Sequence, residues 1–261
     1  MEKAVFFKDQ KSLEGKEYDR LYYGNEFCER LIPSIDDIKK VIEFVKDKRV
    51  NFSFVTPYVT DKGIADLERI FEVLKTKVPG CEVIVNDWGV FRLVDRMGFN
   101  IVIGRLLNKQ KKGPEIMRKF DSLSEESKKF LQSCAFDNGL NQEYAVKKGI
   151  TRVELDNIFT GISSDFSKSG LKASLYYPYI YITTTRKCKL NSCDSIRGSQ
   201  RQGIFACKKE CTKYQFKLKH DLMPKELLQI GNTLFAYNDT LPIKLEERGI
   251  DRLVFITEPI I

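Results

Sequence analysis

Cysteine gives the clearest chemical signal in this sequence. Four of the seven cysteines, Cys188, Cys193, Cys207 and Cys211, are separated by four, thirteen and three residues. A chain wraps one soft metal centre with this kind of spacing, and thiolates favour an iron–sulfur cluster or zinc over magnesium or calcium. Lysine, asparagine and acidic neighbours make the stretch too polar for a core, so we interpret these cysteines as metal ligands. Cys81 and Cys134 are instead predicted to pack as small apolar residues.

Histidine limits the hydrolytic chemistry that the chain can perform. His220 is the only histidine and lies in a lysine-rich stretch. A serine or cysteine nucleophile with a histidine base is therefore not predicted, and a two-histidine metalloprotease site is impossible. A pair of carboxylates, for example Asp87 with Asp156, stays open as an acid–base pair.

Short apolar, β-branched segments alternate with helical patterns, which is typical of βα units and a mostly parallel sheet. A capping box at Ser34 and Asp37 begins one predicted helix, and Asp61 begins the next. We predict an α/β fold, a TIM-type (β/α)8 barrel that is regular or irregular, as one domain over residues 1–261. Residues 187–216 are predicted to form a Cys-rich insertion after strand six. The eight predicted strands are residues 20–23, 52–55, 82–85, 100–103, 152–155, 175–183, 233–237 and 253–256.

Polar residues collect where these predicted strands end, which is where barrel enzymes build their sites. Cys28 would lie on the same barrel face as Cys188, and Asn25 and Glu26 beside it could donate hydrogen bonds to sulfur. Arg105 and Arg186 could clamp a carboxylate ligand or form structural ion pairs. The predicted face comprises Asn25, Glu26, Cys28, Thr56, Tyr58, Thr60, Asn86, Asp87, Arg105, Asp156, Asn157, Thr184, Thr185 and Arg186.

Composition and charge indicate the class of protein. Of 261 residues, 42% are hydrophobic and 31% are charged, which is enough apolar material for a core without disulfides. No apolar run reaches the roughly 18 residues of a membrane span, and no signal peptide is recognisable, so we expect a cytoplasmic protein with no membrane partner and with reduced thiols. A net charge of +8 would favour RNA as a partner. The basic runs at Lys109, Lys111 and Lys112 and at residues 208–219 are interpreted as solvated surface.

Three segments resemble the U32 family of collagenase-like peptidases, particularly its short UbiV-type branch. They are YYGNEFCER at residues 22–30, TTTRKC at residues 183–188 and CKKECTKY at residues 207–214, and RVELD at residues 152–156 adds to the likeness. The resemblance spans nearly the whole chain. It implies a barrel and a 4Fe-4S cluster held by one early cysteine and three late ones.

Carried over residue by residue, the implied cluster ligands are Cys28, Cys188, Cys207 and Cys211. Cys193 departs from the pattern. Other branches of the family place all four ligands in the late segment, so Cys193 could replace Cys28 as a ligand.

The resemblance also implies a reaction class. Relatives carry out oxygen-independent hydroxylation, of ubiquinone precursors by the UbiU–UbiV pair and of RNA bases by longer members. We therefore expect an iron–sulfur enzyme or enzyme subunit of this type, with a second family member as a heterodimer partner. The alternatives are a basic RNA-binding or RNA-modifying module with structural zinc, and a partner subunit without its own catalysis.

Overall fold

Short β-branched and aromatic segments pair as parallel strands in the computed structural model, which describes residues 1–195 and 206–259. Eight strands close into a barrel: β1 (Glu2–Phe6), β2 (Arg20–Gly24), β3 (Asn51–Val55), β4 (Glu82–Val85), β5 (Asn100–Ile103), β6 (Ile150–Asp156), β7 (Lys172–Tyr177) and β12 (Ile250–Phe255). Around the ring the order is β1-β12-β7-β6-β5-β4-β3-β2, and every neighbouring pair is parallel. The predicted TIM-type barrel is confirmed.

A second, antiparallel sheet lies in the connection between β7 and β12. Its strands are β8 (Tyr179–Thr184), β9 (Phe216–Leu218), β10 (Leu227–Ile230) and β11 (Thr233–Tyr237), in the order β8-β11-β10-β9. Phe27 and Leu106, which follow barrel strands, pack against Tyr181 and Phe235 of this sheet. The Tyr181 hydroxyl also donates to the Arg105 carbonyl at 2.8 Å. The second sheet therefore covers the carboxyl end of the barrel, and we call it the covering sheet.

Two predicted strands join a different sheet from the one predicted, in part or in full. The predicted strand at residues 175–183 is divided at the cis Tyr177–Pro178 peptide into β7 of the barrel and β8 of the covering sheet. The predicted strand at residues 233–237 is β11, which is antiparallel to both neighbours. The barrel position is filled by β1, which contains only three apolar residues, 4–6, and was not predicted as a strand. Local pattern identifies a strand but not the sheet that it joins.

Helices cover only part of the outside of the barrel. α1 (Ile35–Lys48), α2 (Asp61–Lys77) and α3 (Trp88–Met97) follow β2, β3 and β4. The short helices α4 (Met117–Phe120), α5 (Glu125–Leu131) and α6 (Gly139–Lys147) lie between β5 and β6. Ser34 begins α1 as predicted, since its hydroxyl accepts the Asp37 N–H at 3.2 Å. None of the helices in the described part of the chain has the length and apolar character needed to cross a bilayer.

Side chains inside the barrel form polar and apolar layers. Near the amino ends of the strands, Arg252 pairs with Glu82 at 2.7 Å and with Glu2 at 2.5 Å. Above this pair, Glu154 is fully buried and accepts a 2.8 Å hydrogen bond from the Tyr176 hydroxyl. The apolar layer around them contains Ala4, Phe6, Tyr22, Val55, Ile84, Val102, Tyr176, Val254 and Ile256.

The predicted Cys-rich segment at residues 187–216 follows β8 rather than a barrel strand. Residues 196–205 of that segment lie outside the described residues. Its described parts flank the loop after β2 and the hairpin between β10 and β11, which is where the candidate site forms.

Candidate functional site

Four cysteines from distant parts of the sequence line one small cavity beside the mouth of the barrel. They are Cys28, Cys188, Cys207 and Cys211. Cys28 follows β2 of the barrel, whereas the other three belong to the connection between β8 and β9 of the covering sheet. The fold therefore brings together the early cysteine and three of the late ones.

The four thiols also act on one another electrostatically. Burial raises the pKa of the Cys28 thiol, and the neighbouring Cys207 and Cys188 raise it further. Burial likewise raises the pKa of Cys211 to about 12, with added contributions from Cys188, Cys28 and Cys207. The raised pKa values of Cys28 and Cys211 therefore reflect burial together with the proximity of the other thiols.

Cys193 is not one of the described residues that line this cavity. Its N–H donates to the Leu190 carbonyl at 3.0 Å. Burial raises the pKa of its thiol, and Asp194 and Glu210 raise it further. Cys81 and Cys134 are buried in the hydrophobic core, as predicted.

The end of β2 is shaped to present Cys28. Gly24 has φ of +136°, and a Cβ atom there would lie 2.1 Å from the Val55 carbonyl oxygen, so only glycine fits this close approach. The Asn25 Oδ1 then accepts the N–H groups of Phe27 at 3.1 Å and Cys28 at 2.7 Å. Asn25 thus fixes the turn that carries Cys28.

Hydrogen bonds to sulfur come from other groups than predicted. We expected Asn25 and Glu26 as donors, but the Asn25 oxygen accepts main-chain N–H groups and Glu26 pairs with Arg105. The main-chain N–H of Arg30 instead lowers the pKa of Cys28, opposing the larger effect of burial. The Lys209 N–H donates to the Cys207 sulfur at 3.4 Å. Main-chain donors supply the polar contacts because the loop geometry turns them toward the thiols.

Glu210 connects the two late cysteine loops. Its carboxylate accepts the Ser192 N–H at 2.7 Å through Oε1 and the Lys208 N–H at 3.1 Å through Oε2. The residue is buried, and although burial raises its pKa, these main-chain donors outweigh burial and lower it. The loop of Cys188 and the loop of Cys207 are therefore held by one ionised side chain.

Asn232 connects the early cysteine loop to the late one. It lies in the hairpin between β10 and β11 and lines the cysteine cavity. Its Nδ2 lies 2.7 Å from the Phe27 carbonyl, 2.8 Å from the Thr185 carbonyl and 2.8 Å from the Tyr58 hydroxyl. Phe27 directly precedes Cys28 and Thr185 begins the loop to Cys188, so this amide joins the two parts of the site.

Two guanidinium groups face the thiols. Arg30 hydrogen-bonds the Cys207 thiol, which raises the pKa of the Arg30 guanidinium. Arg186 also lines the cavity and lies 5.5 Å from the centre of the Tyr58 ring. Both positive charges stabilise negative charge on sulfur.

Arg105 does not face a ligand site. It is 1% exposed and forms a bidentate pair with Glu26, with Nε 2.9 Å from Oε1, and a second pair with Asp156 at 2.6 Å. Of the two roles predicted for this arginine, the structural ion pair is the one observed. Lys112 completes the group by pairing with the other oxygen of Asp156.

The surface position predicted for Lys112 is wrong. Its side chain is buried beneath the covering sheet, with its ammonium 3.3 Å from the centre of the Tyr181 ring. Burial lowers the pKa of Lys112 to about 8, against the opposing effect of Asp156. A run of lysines in sequence gave no sign that one of them would neutralise a buried carboxylate.

The carboxylates considered as an acid–base pair have separate structural roles. Asp87 caps α3, where its Oδ1 accepts the N–H groups of Gly89 at 2.7 Å and Val90 at 3.3 Å. Asp156 is enclosed by Arg105 and Lys112. The structure therefore gives Asp87 the role of a helix cap and Asp156 that of the partner of two buried cations, and it does not bring them together as a pair.

Most other residues of the predicted face also have structural roles. Thr56 and Asn86 are buried and bond the main chain of neighbouring strands at 2.8 Å and 3.0 Å. Thr60 donates its hydroxyl to Glu29 at 2.9 Å. Asn157 donates to the carbonyls of Asn238 and Thr240 at 3.2 Å and 3.0 Å. Thr184 forms a 2.9 Å hydroxyl pair with Thr233.

Three positioning residues were missed from sequence. Arg30 is the last residue of the Cys28 motif, and Glu210 lies between Cys207 and Cys211, so proximity to cysteine could have drawn attention to both. Asn232 had no such signal, because it lies far along the chain in an ordinary hairpin.

The chemistry of the four side chains, rather than their present arrangement, is that of a thiolate-bound cluster. As the side chains stand in residues 1–195 and 206–259, no group of three or more His, Cys, Asp or Glu could hold a metal ion. A zinc ion binds sulfur at about 2.3 Å and draws its ligands close together, whereas an iron–sulfur cubane is wider than one ion. Four thiols around one cavity, with main-chain donors and two guanidinium groups beside them, match the needs of an anionic cluster.

Comparison with known proteins gives weak similarities only. No protein-family model matches the chain, and no curated protein matches it. Among solved structures, the U32 peptidase Mk0906 is similar at a TM-score of 0.47 and 9% identity, over 99% of this chain and 93% of that chain. A glycoside hydrolase family 18 N-acetylglucosaminidase from Paenibacillus barengoltzii has a TM-score of 0.36 and 8% identity, over 97% and 94%. An Ostrinia furnacalis Group IV chitinase has a TM-score of 0.37 and 6% identity, over 97% and 91%. At these values the similarities assign neither a family nor an activity.

Proposed function

We propose that this chain binds a 4Fe-4S cluster through Cys28, Cys188, Cys207 and Cys211. The observation that carries the proposal is that these four thiols, and not Cys193, line one cavity. The bound cluster would supply one-electron transfer. The chain would supply the cavity that shields it, main-chain N–H groups toward sulfur and the positive charges of Arg30 and Arg186.

For the reaction, we propose oxygen-independent hydroxylation of the type implied by the resemblance to the U32 family. The support is the sequence of the three cysteine-bearing segments together with the redox character of the proposed cofactor. In this proposal the chain is an enzyme, or a subunit that acts with a second family member. Activity that appears only after a partner chain is added would favour the subunit role.

The cofactor is tested by metal analysis after anaerobic purification. We expect about four iron atoms and about four sulfides per chain, with a broad visible absorption band from thiolate-to-iron charge transfer. Colourless protein that contains about one zinc ion would support the structural-zinc alternative instead.

The ligand set is tested by a pair of cysteine variants. Cys28→Ser should lose iron and sulfide, because it removes a proposed ligand. Cys193→Ser is the matched control and should retain both. The ligand assignment fails if the two variants exchange behaviour, since the late segment would then hold the cluster alone. Cys207→Ser and Cys211→Ser should also lose the cluster, and Cys81→Ser should keep it.

RNA binding is a second candidate function, favoured by one exposed segment. Tyr214 and Phe216 are 39% and 45% exposed around the edge strand β9. Lys213, Lys217 and Lys219 alternate with them on the surface. Aromatic rings with interleaved lysines suit single-stranded nucleic acid. Binding of a single-stranded RNA that weakens with salt and with Phe216→Ala would support this function, and unchanged binding in that variant would count against it.

A further inference from the structure

A groove of about 790 Å³ lies beside the cysteine cavity. Its walls are the first turn of α1 at Ser34 and Ile35, the first turn of α2 at Lys62 and Gly63, and the segment that contains Cys207. Both helices start at the carboxyl end of the barrel, so their amino ends border the groove together. Its volume lies within the range of small-molecule sites in proteins, about 300–1,000 Å³.

The acidic side chains of this groove are already engaged. Glu29 Oε2 accepts the N–H of Thr60 at 2.7 Å and its hydroxyl at 2.9 Å. Asp66 pairs with Arg69 within α2. Against these two carboxylates the lining carries four basic side chains, those of Arg30, Lys62, Arg69 and Lys209, so its net charge is positive.

Two lysines of the groove remain available. Lys62 and Lys209 are exposed and line the groove. Among the residues that the structure describes, neither ammonium has an ion-pair partner. Together with the guanidinium of Arg30, they give the groove a positive potential.

The groove and the cysteine cavity share a wall. Cys207 and Arg30 line both of them. A molecule bound in the groove would therefore lie next to a proposed cluster ligand and to the guanidinium that bonds it. No other described residue is common to the two linings.

We propose that this groove binds a small molecule bearing a phosphate or carboxylate group, held by Lys62 and Lys209 next to Cys207. The inference rests on the proposed function in one respect, because the bound oxyanion would be the substrate or co-substrate of the neighbouring cluster. Lysine ammonium groups donate charge-assisted hydrogen bonds to phosphate and carboxylate oxygens. An open groove admits ligands from solvent, and the shared wall places the bound molecule within reach of electron transfer.

The test is calorimetric titration of the anaerobically purified protein with inorganic phosphate and, separately, with malonate. The double variant Lys62→Gln/Lys209→Gln should bind the preferred anion at least tenfold more weakly than the wild type. Lys77→Gln is the matched control, because it removes an exposed lysine from the other end of α2 and should leave binding unchanged. The stronger of the two anions identifies the group as phosphate or carboxylate.

Two results would overturn the inference. One is a wild-type protein that binds neither anion, and the other is a double variant that loses no more affinity than the control. Iron and sulfide are measured on the same samples. Anion binding without a cluster would refute the proposed function and leave the groove assignment standing, whereas a cluster without anion binding would refute the groove assignment alone.

Discussion

Arg30 is the residue with the most direct influence on the proposed cofactor. Its guanidinium bonds the Cys207 thiol and lines both the cysteine cavity and the adjacent groove. Reduction adds negative charge to a cluster, and a nearby positive charge stabilises the reduced form. Arg30 is therefore expected to raise the reduction potential.

Arg30→Gln should lower the cluster potential by roughly 60 mV, which is a tenfold change for one electron. Spectroelectrochemical titration of the loaded protein measures this shift. Arg69→Gln is the control, because Arg69 lines the groove and not the cysteine cavity. A potential that stays the same or rises in Arg30→Gln would contradict the role.

Glu210 should act on cluster retention through the two loops that it joins. Glu210→Ala removes the acceptors of the Ser192 and Lys208 N–H groups and leaves both donors buried or half-buried without a partner, at a cost of about 1–3 kcal/mol. Glu210→Gln keeps one acceptor oxygen. We expect iron loss to a chelator to be fastest in Glu210→Ala, slower in Glu210→Gln and slowest in the wild type. Equal rates in all three proteins would show that the loops are held by other contacts.

Residue types indicated the cysteines more clearly than the roles of the charged residues. Cysteine is rare and its polar setting is unusual, so spacing indicated Cys188, Cys193, Cys207 and Cys211, and the family resemblance replaced Cys193 by Cys28; the structure places the second set around one cavity. Charged residues are common, and their role depends on which charges the fold brings near. Asp87 and Asp156 were candidates for catalysis but serve as a helix cap and as the partner of buried cations.

At the scale of elements, the hairpin between β10 and β11 sets the relative position of the cysteine loops. Asn232 in that hairpin is the single side chain that contacts both the Phe27 and the Thr185 carbonyls among the described residues. The loop after β2 belongs to the barrel and the loop after β8 belongs to the covering sheet. Their alignment therefore depends on this junction.

Asn232→Ala should reduce cluster content more than it reduces the stability of the fold. The variant removes the donor of the buried Phe27 carbonyl, at about 1–3 kcal/mol, and leaves the Thr185 carbonyl with the Tyr58 hydroxyl, so the Cys28 loop is freed from the late loop. Asn238→Ala is the control, since Asn238 lies at the other end of β11 and its side chain bonds the Asn157 carbonyl at 2.8 Å. Iron content and urea unfolding are measured for both variants. Loss of the cluster in Asn238→Ala to the same degree would assign the effect to general destabilisation.

Helices and strands were predicted correctly where the local sequence pattern agreed with the pairing observed in the fold. α1 and α2 have amphipathic faces, so both were predicted; Ser34 caps α1, whereas Asp61, predicted to cap α2, is its first residue and follows the N-cap Thr60. β1 was missed because three apolar residues near the start of the chain carry little periodicity, and its strand identity comes from parallel pairing with β2 and β12. β11 was placed in the wrong sheet because antiparallel and parallel strands have the same alternation.

At the scale of the whole molecule, the barrel interior holds the Glu154 carboxyl group between the buried side chains of Arg105 and Arg252. Burial, and then the charge of Glu26, raise the pKa of Glu154 from 4.5 to about 8, while Arg105 and Arg252 oppose them. In the folded state Glu154 therefore keeps a proton that the unfolded chain releases above about pH 4.5. Folding stability should consequently fall as the pH rises from about 4.5 to about 8.

Glu154→Gln should flatten this pH dependence. At about 1.36 kcal/mol per pKa unit, the wild type would lose up to about 5 kcal/mol across the window because of this residue, and the variant would lose none of it. Urea unfolding at pH 5.5 and pH 8 gives the two slopes. Glu143→Gln, which changes an exposed acid, should behave like the wild type. A variant with the same pH slope as the wild type would mean that Glu154 is ionised in the folded protein.

The barrel was predictable from the sequence, whereas the covering sheet was not. Alternating strands and helices indicated the ring, and strand ends on one face indicated that Cys28 could approach the late cysteines. The covering sheet depends on contacts between β8, β10 and β11 that are distant in sequence, and it is this sheet that encloses Arg105 and Lys112.

The position of β12 between β7 and β1 also has a consequence for synthesis. The ring cannot close until residues 250–255 have left the ribosome, so the edges of β1 and β7 stay unpaired while the rest of the chain is made. All four candidate ligand thiols leave the ribosome before that point. They stay exposed until the closed barrel aligns them. Stalled nascent chains that end before residue 250 should therefore bind chaperones more strongly than chains that extend past residue 255 by the length of the exit tunnel. Insertion of the proposed cofactor should follow release from the ribosome.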